Sequence, residues 1–185
     1  MNKEALVKIF DLYSSALYKY ALRLCSDPVL ADDIVGDVFA KFLDQLASGN
    51  GPKTNLRSYL YQAAYHRMID EARYSRRRVP LDVTDWFRQD ANPIFSGWED
   101  QILFKQIRHI MRDRLSVDQR HVLILRILEG FSIRETAQIL GKRAENIRVI
   151  QNRALAVLRR SLEQQGVRKD GSFSKMSTLP KASGD

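Results

Sequence analysis

The chain of 185 residues carries a formal net charge of +8 and is 44% hydrophobic, a composition that supports folded cores and favours polyanionic partners. Cys25 is the only cysteine and the three histidines lie far apart, so neither a disulfide framework nor a zinc site is expected. No apolar run approaches the length of a membrane span or of a secretory signal, so we predict a cytoplasmic protein without membrane insertion.

The first half of the chain has helical periodicity in three successive stretches. Apolar residues recur at steps of three and four in the first stretch. Asp27 and Pro28 then provide an N-cap and a first-turn proline for a second helix. A third helix is expected from about Asn55 to the arginine run 76–78. The pattern predicts a three-helix domain over residues 1–78.

Charge is distributed unevenly along the chain. Residues 1–50 hold five basic against seven acidic residues, whereas 57–78 hold six arginines against two acidic residues. The segment 79–98 and the two acidic residues after it hold five acidic residues against one arginine and lack helical periodicity, which predicts an acidic, flexible linker. The tail 164–185 is rich in Gly, Ser and Lys and is predicted to be disordered.

The second half is also helical by pattern. A helix over about 99–114 is followed by two capping-box sequences, Ser116 to Gln119 and Ser132 to Glu135, each of which starts a helix. We therefore predict a second domain over residues 99–163. The fold class is all-α, with two small helical domains joined by the acidic linker.

The stretch after the second capping box has the spacing of a helix-turn-helix. Ala137, Gly141 and Ile147 stand where such a motif needs a small residue, a turn residue that tolerates left-handed geometry and an apolar anchor. An ordinary helical hairpin is the alternative, but the net charge of +5 over 142–160 favours DNA. The candidates to enter the major groove are Arg143, Glu145, Asn146, Arg148, Val149, Asn152 and Arg153.

Three motifs occur in order along the chain, at residues 31–39, at 56–61 with the arginine run that follows, and at 115–132. In this order they resemble the bacterial RNA polymerase sigma factors of the extracytoplasmic-function (ECF) group. Residues 31–39 are similar to the acidic helix that docks on polymerase. Residues 56–61, with the arginine run that follows, resemble the helix that reads the −10 promoter element, and 115–132 resemble the entry to the −35-binding domain. The resemblance implies three partners: core RNA polymerase, promoter DNA and an anti-sigma protein.

Two further sets of candidate residues follow from the first domain. The docking set is Asp32, Asp33, Asp37, Phe39 and Lys41, and its alternative interpretation is a solubilising surface. The −10 set alternates cations with aromatic rings, as binding to opened DNA strands requires, and comprises Arg57, Tyr61, Tyr65, Arg67, Arg73 and Arg76. For the two tyrosines the alternative is a place in the core.

The sequence therefore predicts a sigma factor that binds core polymerase and directs promoter-specific initiation. The alternatives are a stand-alone helix-turn-helix regulator and a metal-dependent nuclease. No Gly-rich phosphate loop occurs and the carboxylates lack the spacing of a metal site, so no enzyme activity, no cofactor and no small-molecule substrate are expected. Cys25 lies among apolar positions and is interpreted as a core residue rather than a redox sensor.

Overall fold

The chain is mainly helical in the parts that a computed structural model describes, namely residues 3–52, 55–75 and 98–164. These parts contain no β-strand, so the all-α prediction is confirmed. None of their helices is long and apolar enough to cross a membrane. The arginine run 76–78, the predicted linker up to residue 97 and the tail from residue 165 lie outside the described residues.

The chain divides into two compact units. One comprises Met1–Asp90 with Ala137–Arg143, and the other comprises Ala91–Thr136 with Ala144–Asp185.

Three long helices build the first unit: α1 (Lys3–Cys25), α2 (Pro28–Ala47) and α3 (Leu56–Ser75). The start of α2 is as predicted, because the Asp27 carboxylate accepts hydrogen bonds from the backbone N–H groups of Val29 and Leu30. These bonds satisfy donors that the first helical turn leaves without intrahelical partners. The N-cap therefore fixes where the acidic helix begins.

The core of this unit is formed where α1, α2 and α3 meet. Its fully buried members include Leu17, Tyr20, Ala21, Ile34, Leu60, Tyr61 and Ala64. The rings of Tyr20 and Tyr61 pack with centroids 5.1 Å apart, which joins α1 to α3. Gly36 lies mid-helix on the exposed side of α2, and a Cβ at this position would meet no atom within 4 Å.

The second half of the chain contains α4 (Trp98–Arg114), α5 (Val117–Leu123), α6 (Ile133–Leu140) and α7 (Ala144–Gln164). A π turn (Ile124–Leu128), which the sequence did not predict, continues α5 directly. Its wider hydrogen bonding is seen where the N–H of Glu129 donates to the carbonyl of Ile124 at 3.0 Å. A buried apolar cluster links α4, α5 and α7 and consists of Ile110, Leu115, Leu123, Ala154, Leu158 and Leu162.

Both predicted capping boxes are present. At the start of α5, the hydroxyl of Ser116 accepts from the N–H of Gln119, and the Gln119 side chain accepts from the N–H of Ser116 at 2.9 Å. Ser132 and Glu135 make the equivalent pair before α6, at 3.1 and 2.7 Å. Reciprocal bonds of this kind define the first turn of each helix.

Candidate docking and nucleic-acid interfaces

An acidic row lies on the exposed side of α2. Asp32, Asp33 and Asp37 are all exposed, as is Lys41. Phe39 is different: only 8% of it is exposed, and its ring packs against Phe10 with centroids 4.8 Å apart. The predicted docking set is therefore an exposed polar surface except for Phe39, which lies in the core.

Arg67 joins the acidic row to α3. Its Nε donates to Oδ2 of Asp37 at 2.7 Å, and its Nη1 donates to Oε2 of Glu71 at 2.9 Å. The hydrogen bond to Asp37 and, to a smaller extent, the hydrogen bond to Glu71 raise the pKa of the Arg67 guanidinium, so it stays charged. A predicted docking residue and a predicted −10 residue thus bind each other. Glu71, one turn along α3, was missed by the sequence interpretation, although its i, i+4 spacing from Arg67 could have indicated the pair.

The two tyrosines predicted to stack on DNA bases lie in the core. Tyr61 is 0% exposed and Tyr65 is 9% exposed, so neither ring offers a free face to a base. The burial favours the alternative interpretation, in which both tyrosines are core residues. Arg57 lies over the Tyr61 ring, with its guanidinium carbon 5.6 Å from the centroid.

The exposed side chains of α3 lie toward its C-terminal end. Arg73 is exposed and its Nη1 lies 3.7 Å from Oδ1 of Asp70. The exposed aromatic side chain nearby is Tyr74, which is 58% exposed and was not among the predicted residues. Arg76 lies outside the described residues.

The turn between α6 and α7 has the predicted geometry. Gly141 adopts φ +62°, the left-handed conformation that glycine takes without strain. The N–H of Lys142 donates to the carbonyl of Ala137 at 2.9 Å and closes the end of α6. Ala137 is buried and Ile147 is fully buried, as the motif requires.

α7 has one buried and one exposed side. Ile147, Ala154, Leu158 and Leu162 face inward and are buried. Every member of the predicted −35 set is exposed: Arg143, Glu145, Asn146, Arg148, Val149, Asn152 and Arg153. The exposed set combines cations for phosphate with amide and apolar groups that suit base edges. A helix with this arrangement is able to enter a major groove.

No feature of the described residues suggests a metal or redox site. Groups of three or more His, Cys, Asp or Glu side chains placed to hold a metal do not occur there. Cys25 is half-buried, and its thiol donates to the carbonyl of Asp27 at 3.4 Å. Burial raises the pKa of this thiol, which disfavours the reactive thiolate.

A pocket of about 200 Å³ lies between α4 and α7. It is smaller than most ligand sites, and its lining consists of His109, Ile110, Asp113, Arg114, Ser161 and Gln164.

The sequence matches known proteins over both units. Residues 9–78 match Sigma-70 region 2, and residues 113–160 match Sigma-70, region 4. The chain is 29% identical over 167 residues to the ECF RNA polymerase sigma factor SigX of Bacillus subtilis, covering 87% of this chain and 85% of that protein. The two Sigma-70 matches together cover more than half of the chain, which therefore belongs to the sigma-70 family and is similar to its ECF members. The ECF sigma factor BldN of Streptomyces coelicolor is 28% identical over 162 residues, which are 86% of this sigma factor and 61% of that protein.

Among solved structures, this sigma factor resembles the sigma factor RpoE of Bartonella quintana, crystallised in complex with the anti-sigma factor NepR. The TM-score is 0.67 at 23% identity, over 86% of this chain and 98% of that chain, and this likeness shows the fold. As a sigma factor the protein acts in transcription initiation and is not an enzyme. Family membership therefore contradicts the nuclease interpretation and does not favour a stand-alone regulator.

Proposed function

We propose that this sigma factor binds core RNA polymerase through the exposed acidic row of α2, formed by Asp32, Asp33 and Asp37. A row of carboxylates on one helix is complementary to a basic surface and disfavours acidic partners. Lys41 extends this surface by one turn. The docking takes place in the cytoplasm, where core polymerase and DNA are found.

The second part of the proposal is that α3 contacts the −10 element and α7 the −35 element. The observation that carries it is the division of α7 into a buried apolar side and an exposed, mainly polar side. On α3, we assign the DNA contact to Arg57 and Arg73 with the exposed ring of Tyr74, in place of the two buried tyrosines.

We also propose the domain division of residues 1–78, 79–98 and 99–163, with a tail over 164–185. In this division the acidic linker separates the docking and −10 functions from −35 binding. An anti-sigma protein is the expected regulator, since the structurally similar RpoE was crystallised with one.

Docking is tested by titrating purified core polymerase with the labelled full-length chain. We expect the parent to bind and Asp32→Arg with Asp33→Arg to weaken binding at least tenfold, because exposed carboxylates become cations facing a basic surface. Asp11→Arg is the matched control, since Asp11 is an exposed carboxylate on α1. Asp37 is left unchanged, because its replacement would also break the bond to Arg67.

Two outcomes contradict the docking assignment. One is a parent chain that does not bind core polymerase. The other is a double variant that binds as tightly as the Asp11→Arg control while its circular dichroism spectrum matches that of the parent.

A further inference from the structure

Arg126 connects three parts of the second unit. It lies on the π turn, and its Nε donates to Oε1 of Gln151 on α7 at 3.2 Å. Its Nη1 donates to the backbone carbonyl of Phe131, just before the capping box of α6. One side chain therefore holds α7 and the entry to α6 at the same time.

Gln151 occupies an unusual place on α7. It lies four residues after Ile147 and three before Ala154, so it shares the inward row with two fully buried apolar residues. Gln151 itself is half-buried, whereas its neighbour Asn152 is exposed. A polar side chain in such a row needs a hydrogen-bond partner, and Arg126 provides it.

The arginine fork makes this contact directional. A guanidinium is planar and its donors point in fixed directions, so two bonds to different elements fix its orientation. Arg126 is half-buried; desolvation lowers the pKa of its guanidinium, and the nearby Glu135 carboxylate opposes this shift. The buried apolar row of α7 sets the rotation of the helix approximately, and the directional bond from Arg126 to Gln151 restricts that rotation further.

A small rotation of α7 would matter at the DNA. A helix with its side chains is about 10–12 Å across, so a rotation of about 10° moves an outward side-chain end by about 1 Å. A displacement of that size takes a hydrogen bond to a base edge from good to poor geometry.

We infer that Arg126 is a positioning residue that sets promoter selectivity without touching DNA, by fixing the rotation of α7 through Gln151. The inference rests on the proposed role of α7 in binding the −35 element. It predicts that loss of the Arg126–Gln151 contact reduces discrimination between sequences more than it reduces affinity for DNA in general.

The test uses holoenzyme reconstituted from core polymerase and the full-length chain. Parent holoenzyme first selects from duplex DNA with a randomised upstream window, and the enriched sequence and a scrambled version then serve as probes at fixed salt. The measured quantity is the ratio of the two affinities. The variants are Arg126→Met, Gln151→Leu, both together, and Gln151→Glu, which keeps an acceptor for Arg126.

We expect Arg126→Met and Gln151→Leu each to lower the ratio about tenfold, the loss expected when one base contact is misplaced. The double variant should lose no more than either single variant, because both remove the same contact. Gln151→Glu should retain the ratio. Arg159→Met is the control: Arg159 is exposed on α7, so its loss should weaken both probes alike.

An unchanged ratio in Gln151→Leu overturns the inference even where Arg126→Met fails to fold, because leucine is accommodated in a half-buried helical row. Equal loss of ratio in Gln151→Glu and Gln151→Leu also overturns it. A parent holoenzyme that enriches no sequence contradicts the proposed −35 role of α7, and the inference with it. If the parent holoenzyme is selective and the variants keep the same affinity ratio, the inference is contradicted but the proposed −35 role of α7 is not.

Discussion

The burial of Tyr61 gives a measurable distinction between a core residue and a DNA contact. The side chain is 0% exposed and its ring packs on Tyr20 at 5.1 Å. A buried tyrosine removes about 150–250 Å² from water, which at about 25 cal/mol per Å² corresponds to roughly 4–6 kcal/mol. Because alanine retains part of this area, we expect Tyr61→Ala to lower the free energy of unfolding by about 3–5 kcal/mol.

A change of this size is large beside the total stability of a domain, which is about 5–15 kcal/mol. For a unit of this size it corresponds to a fall in Tm of roughly 12–40 °C. Thermal unfolding of the full-length chain, followed by far-ultraviolet circular dichroism, measures it directly. Tyr74→Ala is the matched control, since Tyr74 lies on the same helix and its side chain is 58% exposed. Its replacement should change the free energy of unfolding by no more than about 0.5 kcal/mol.

The reasoning is refuted if the free energy of unfolding of Tyr61→Ala lies within about 1 kcal/mol of the parent value while the variant loses promoter binding. That result would mean that the ring stands on the surface and stacks on bases. For Tyr74→Ala, by contrast, normal stability with weaker binding to opened DNA is the result that the proposed α3 contact predicts.

Three further predictions concern other parts of the chain. Gly36→Ala should raise the free energy of unfolding by about 1 kcal/mol, because alanine favours the helix and a Cβ there meets no atom within 4 Å; an unchanged or lower Tm would contradict this. Arg148→Ala should weaken cognate promoter binding by roughly 1–3 kcal/mol if it reads a base, and equal weakening on scrambled DNA would assign it to phosphate instead. Replacing Asp82, Asp85 and Asp90 by Asn should strengthen DNA binding by the free chain, more at low salt, because the acidic linker competes with phosphate; gel shifts that match the parent at every ionic strength would exclude this competition.

Much of the fold could be predicted from short-range signals. Asp27 and the two capping boxes mark helix starts because their bonds join residues two or three apart, and such spacings are visible in the sequence. Gly141 was identified for the same reason, as a turn position that glycine occupies without strain. The exposed row of α7 followed from the 3.6-residue period once its apolar residues were placed.

The sequence indicated least about residues whose surroundings depend on contacts distant in sequence. Phe39 and Tyr61 have a residue type suited to binding, and only the packing of Phe10 and Tyr20 shows that their rings are enclosed. The Arg67 bond to Asp37 crosses 30 residues, so neither residue's surroundings indicate it. The π turn likewise has no local sequence signal among its five residues, Ile124–Leu128.

The order in which α1, α2 and α3 pack also has a consequence for synthesis. Each helix contacts its neighbours in the chain, and domains with such local contacts fold in microseconds to milliseconds. After α3 ends at Ser75, the ribosome still has to add the residues up to Gln164, where α7 ends, which takes roughly 4–18 s at about 5–20 residues per second. The proposed docking face of a nascent chain is therefore complete seconds before its DNA-reading helix exists, so a partner that recognises α2 is able to act on the chain while it is still being made.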